Sequence, residues 1–129
     1  MTRRLLVTVL AALALMPALV LAHHSAVMFD EAKAVTVTGV VKEFQFTNPH
    51  SWLLVDVTEN GKVTTWGFEA EGPTTLMRNK VRPGDLKPGT RLTITGHPMK
   101  DGRPAALWMK AVREDGVEFF PSGRGPQPN

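Results

Sequence analysis

Between residues 33 and 47 the chain alternates apolar and polar residues and changes phase once. Val35 and Val37 are apolar at odd positions, with Thr36 and Thr38 between them. Beyond Gly39, Val40, Phe44 and Phe46 fall at even positions. Strand side chains alternate faces with a period of two, so a change of phase needs one extra residue. A bulge near Gly39 supplies it and bends the strand. A strand that long, bent at a glycine, serves both sides of a small barrel, and this limits the folds open to the rest of the chain.

The following segments fit that limit. Asn48-Pro49 ends the first strand, because proline donates no backbone N–H and holds the preceding residue extended. Residues 51–58 alternate again, with Leu53, Val55 and Val57 on one face and Trp52, Leu54 and Asp56 on the other. Asn60-Gly61 is a two-residue hairpin signal, and residues 62–70 form a third strand with Trp66 and Phe68 in phase. Residues 72–79 read as a short helix, with Pro73 at its first position and Asn79 as its stop. Turns at Pro83-Gly84 and Pro88-Gly89 lead to a fourth strand with Leu92 and Ile94 inward. A fifth strand over residues 105–112 sets Leu107, Met109 and Ala111 against Trp108 and Val112, and residues 117–120 make a short edge strand. Three meandering strands, a helix and further strands predict an all-β, small OB-like barrel of five to six strands, with one short helix between strands 3 and 4. A five- or six-stranded open sandwich has nearly the same order.

The barrel accounts for residues 33–120 of 129. Residues 1–22 read as a signal peptide. Arg3 and Arg4 make the positive start, an apolar run follows, Pro17 breaks it, and Val20-Leu21-Ala22 suits cleavage. An uncleaved membrane anchor is the rival reading, since the run approaches the ~18–20 residues that span a bilayer. Cleavage predicts a periplasmic protein with no membrane attachment. Residues 23–32 form an extended N-terminal arm, which Met28 and Phe29 can pin to the barrel. Residues 121–129, rich in Pro and Gly, make a tail too poor in apolar residues to order itself.

The compartment changes the charge argument. The whole chain has 15 Lys and Arg against 12 Asp and Glu; loss of Arg3 and Arg4 leaves 13 against 12. A near-neutral surface has no long-range field to draw phosphate. The aromatic residues Trp52, Trp66, Trp108, Phe44, Phe46 and Phe68 therefore belong to core and rim, and nucleic acid is not an expected partner. With no cysteine, neither a disulfide nor a thiolate metal site is open to the chain. No nucleophile–base pair has a recognisable spacing, which argues against an enzyme.

The chemistry rests on four histidines. Cleavage after Ala22 would make His23 the first residue, so that its α-amine and imidazole can chelate one metal ion together. A further nitrogen from His24 or His50 would complete a site suited to copper(II). The plainer reading leaves His23 and His24 as exposed residues beside a processing site. His50 starts the second strand. It can ligate, or it can close the loop by bonding a backbone carbonyl while Asn48 makes an Asx-type turn. Glu69, at the end of strand three, is placed on the same side of the barrel. It is a ligand, an orienting group for the imidazole, or a rim charge. His97, in Gly96-His97-Pro98, is expected in a solvated turn, at the opposite end of strand one from His50. The expected metal residues are thus His23, His24, His50 and Glu69, with copper as the cofactor. The alternative is a structural module that docks another envelope protein.

The stretches Ala22-His23-His24-Ser25, Val35-Thr36-Val37-Thr38-Gly39, Glu43-Phe44-Gln45-Phe46-Thr47-Asn48-Pro49-His50-Ser51-Trp52, Trp66-Gly67-Phe68-Glu69, Leu86-Lys87-Pro88-Gly89-Thr90 and Asp115-Gly116 carry a resemblance over nearly all of the expected mature chain. The chain resembles a family of small exported bacterial proteins known only as a domain of unknown function. The resemblance implies a signal peptide and an OB-like barrel, with no assigned activity. The positions that match are His23, His24, Asn48, Pro49, His50, Trp66 and Glu69. His97 is not part of that pattern, and Asn79-Lys80 stands where members commonly have Gly-Trp.

Overall fold

The computed structural model describes residues 27–123. The signal peptide read over residues 1–22, His23 and His24 of the arm, and residues 124–129 of the tail lie outside them. Six strands follow in chain order: β1 (Val35–Gln45), β2 (Ser51–Glu59), β3 (Lys62–Ala70), β4 (Arg91–Pro98), β5 (Ala105–Arg113) and β6 (Glu118–Phe119). A short helix, α1 (Pro73–Arg78), and a 3-10 turn (Pro83–Asp85) stand between β3 and β4. Neighbours run β3-β2-β1-β4-β5-β6, and β3 also pairs with β5. That last pairing is parallel, residues 67–69 against 105–107. It closes five strands into the expected OB-like barrel and leaves β6 outside.

Local chemistry accounts for the joints. Asn60 and Gly61 both have positive φ, 51° and 76°, as a two-residue hairpin turn requires. Pro73 opens α1, and the Asn79 N–H closes it on the Thr75 carbonyl at 3.0 Å. Leu53, Val55, Phe68, Leu76, Leu92, Ile94, Ala106 and Ala111 are sealed from solvent inside the barrel or beneath α1. Trp66 and Phe68 stack at 6.1 Å, while Phe44 meets both Phe46 and Trp108 edge-on.

Two strand phases differ from expectation. In β1 the extra residue is Lys42, not Gly39. Val41 pairs with Val55 and Glu43 with Leu54, so the register shifts between them. Val41 is buried and Val40 is only half-buried, and two adjacent valines gave no way to choose between them. Gly39 serves the bend instead. A Cβ there would overlap the Asp56 carbonyl oxygen and stand 2.7 Å from Val55 Cγ1. In β5 the register against β4 shifts between Thr95 and Gly96, which pair with Lys110 and Trp108. Met109 is therefore extra. Ala106, Trp108 and Ala111 face inward, and Leu107 and Met109 do not.

The arm and the start of the tail also have definite contacts. Phe29 is 2% exposed and bridges Met99, whereas Met28 is 43% exposed. Pro121 is buried, and its carbonyl accepts from Asn79 Nδ2 at 2.6 Å.

Candidate functional site

The loop between β1 and β2 is held at its ends. Thr47 Oγ1 donates to the His50 carbonyl at 3.1 Å, and the buried Ser51 Oγ donates to the Thr47 carbonyl at 3.3 Å. The Asn48-Pro49 peptide bond is cis. These hydroxyls close the loop, so the imidazole is not spent on it. His50 Nδ1 lies 3.3 Å from Glu69 Oε1 instead. The backbone-carbonyl contact expected of His50 is thereby replaced by a carboxylate.

The hairpin explains why the two meet. Its tight turn fixes the register of β2 on β3, pairing Ser51 with Ala70 and Trp52 with Glu69. His50, one residue earlier, is then a diagonal neighbour of Glu69. Glu69 has 8% of its side chain exposed and His50 has 39%. A buried carboxylate requires a polar or charged partner, and the imidazole is one. A carboxylate beside Nδ1 favours the ring proton there and leaves the Nε2 lone pair available, the arrangement common to metal-binding histidines.

The helix entry packs directly on this loop. A Cβ on Gly72 would stand 2.9 Å from both Asn48 Oδ1 and the Pro49 carbonyl oxygen. The φ of Gly72, −68°, is open to any residue, so contact alone decides the cost. Gly72→Ala is expected to destabilise the barrel by about 1–3 kcal/mol through overpacking. It should also shift the His50 imidazole resonances. A variant as stable as the parent, with those resonances in place, would contradict the packing.

His97 lies in a strand and not in the expected solvated turn. It belongs to β4, where it pairs with Leu107, and Leu107 in turn pairs with Glu69 across the barrel seam. Glu69 and His97 therefore flank Leu107 on one outer face, their backbones about 10 Å apart at two strand spacings. Along β1 the two histidines do stand at opposite ends, since Val35 pairs with Gly96 and Gln45 with Trp52; closure brings His97 back toward Glu69 from the other side. His97 Nδ1 donates to the Lys33 carbonyl at 2.7 Å, which ties the arm to β4. Nearby, Lys33 stands 3.2 Å from Asp30 and its hydrogen bond holds that carboxyl below the usual aspartate range.

Of the four expected metal residues, the structure brings His50 and Glu69 together; His23 and His24 lie outside the described residues. Among the described residues no three of His, Asp and Glu stand together as a metal centre.

The same outer face holds a feature that no local pattern announces. A cavity of about 560 Å³ opens beside β5, lined by residues from β3, β4, the arm and the segment after β6. Barrel closure, the arm's bridge to Met99 and the pairing of β6 on β5 bring these segments together.

No curated protein and no solved structure matches the chain. The model of a protein family of unknown function matches residues 10–108.

Proposed function

This chain belongs to DUF6152, a family of unknown function, and on that premise we propose that it is an exported β-barrel of the cell envelope that binds one copper(II) ion. The ligands are His23, through its α-amine and imidazole, His50 through Nε2, and His24 as a further nitrogen. Glu69 orients the His50 ring from behind. The observation that carries this reading is the 3.3 Å contact of His50 Nδ1 with a nearly buried carboxylate, which leaves Nε2 as the ring's available donor.

Chain geometry supports the arm's part. Phe29 is anchored on Met99, so His23 stands six residues before a fixed point and has about 20 Å of reach. The anchor is on the same flank as the histidine. Met99 N–H donates to the Ala105 carbonyl, and Ala105 pairs with Gly67, two residues before Glu69. By analogy of fold, OB barrels use the loops between strands 1 and 2 and between strands 4 and 5 for their ligands. Here those loops carry His50 and the arm's anchor.

N-terminal sequencing of the exported protein, followed by copper titration, tests the proposal. The mature chain should begin at His23 and bind one copper(II). His50→Ala should weaken binding at least tenfold, and Glu69→Gln by about tenfold, as loss of an orienting partner does. A mature chain beginning elsewhere would rule out the amine ligand. Equal copper affinity in a His23→Ala, His50→Ala double variant would rule out the site.

A further inference from the structure

Glu69 faces away from the barrel's interior and is nevertheless covered. Phe68 is sealed in the core, and neighbours along a strand point to opposite faces, so Glu69 points outward. An outward carboxylate is ordinarily solvated, yet only 8% of this side chain is exposed. The strand register names what covers it. Trp52 of β2 pairs with Glu69 on one side, and Leu107 of β5 pairs with it on the other. Paired residues of adjacent strands present their side chains on the same face. The carboxylate therefore sits in a row between an indole and an isobutyl group, both half-buried.

Trp52 is held close to Glu69. The two-residue turn at Asn60-Gly61 makes Glu59 and Lys62 a hydrogen-bonded pair, and the two kinds of pair alternate from there. Trp52 and Glu69 lie seven positions further on each strand, which makes them a non-hydrogen-bonded pair, the kind whose side chains stand closer. Gly67 has the same phase as Glu69, and its N–H accordingly turns away from β2 and donates to the Pro104 carbonyl at 3.0 Å. Gly67 also makes room for the indole. A Cβ there would stand 3.2 Å from Trp52 Cε3 and 3.3 Å from Cζ3. The ring thus lies over the bare backbone of Gly67, beside the carboxylate.

We propose that Trp52 is a positioning residue that acts through Glu69 on His50. By keeping water off the carboxylate, the indole strengthens the contact with His50 Nδ1, 3.3 Å away, because electrostatic and hydrogen-bonding interactions gain in a low local dielectric. The indole so helps to hold the ring proton on Nδ1 and the lone pair on Nε2. Its part in copper binding rests on the function proposed above; its effect on the ring proton does not.

The test compares the exported protein with variants of this row. Trp52→Thr removes the cover with a residue that strands favour, Trp52→Phe keeps an aromatic face, and Glu69→Gln removes the charge. In the metal-free protein at about pH 8, nitrogen NMR of the neutral His50 ring reads where its proton sits. The parent and Trp52→Phe should hold it on Nδ1, and Trp52→Thr should release it toward Nε2. Gly67→Val is the second variant, in case Trp52→Thr does not fold. It crowds the indole off β3 and should move the proton in the same direction. Copper titration adds a cycle. Trp52→Thr should weaken binding by about tenfold, as loss of an orienting partner does. In a Glu69→Gln background it should cost nothing further, because both act through one carboxylate. A ring proton that stays on Nδ1 in Trp52→Thr and Gly67→Val overturns the proposal. So do additive losses of copper affinity, which would make the effect of Trp52 independent of Glu69. A chain that binds no copper overturns the function proposed above, and the NMR measurement then decides this proposal alone.

Discussion

Phe68→Ala is expected to cost the barrel about 3–5 kcal/mol, the range for removing a fully buried phenyl ring. Phe68 is 0% exposed. It sits in β3 between Leu53 of β2 and Ala106 of β5, so its ring fills the core where the barrel closes, and it stacks on Trp66. Neither neighbour can collapse into the space without opening the seam. Against a total stability of ~5–15 kcal/mol for a domain, such a loss leaves a protein that is marginal or unfolded at 37 °C. Chemical denaturation checks this, with Val63→Ala as the control. Val63 is on the same strand but 57% exposed, and its loss should stay within about 0.5 kcal/mol. Equal effects at the two positions would show that the seam is not where the core's stability is concentrated.

Gly39→Ala is expected to have an effect of similar order, about 3 kcal/mol or more, at the upper end of overpacking costs. The added methyl would meet the Asp56 carbonyl oxygen and Val55 Cγ1. Val55 is 0% exposed, so the side chain has nowhere to retreat, and the backbone carbonyl belongs to a paired strand. Relief requires β1 and β2 to separate where β1 turns from one side of the barrel to the other. Denaturation midpoints and amide exchange at Val40 and Asp56 report that separation. A stable variant with protected amides would show that the strands have slack there.

These two residues also show how far the sequence could be read. The buried face of β2 was legible because Leu53, Val55 and Val57 alternate cleanly with polar or rim residues. The contact of His50 with Glu69 was legible because Asn60-Gly61 dictates a short turn, and a short turn dictates a register. Gly39 was legible as a bend. The extra residue was not, because Val40 and Val41 are chemically alike and both fit an inward position. The grouping of Leu107, Met109 and Ala111 on one face of β5 failed for a related reason. Leu107, Trp108 and Met109 are all apolar, and a bulge at Met109 carries no glycine to mark it. The neighbourhood of Leu107, Glu69 and His97 depends on how far the strands slide when the sheet closes. That offset is a property of the whole barrel, and no single stretch encodes it.

The division of β5's edge between β3 and the two-residue β6 has a further consequence. Sheet edges are templates on which other chains add strands, and long flat ones invite aggregation. Here Ala105 to Leu107 are consumed by barrel closure, and Ala111 and Val112 are shielded by Glu118 and Phe119. What remains is three residues wide, with a bulge inside it. A gap so short and twisted is a poor place for a foreign strand to dock.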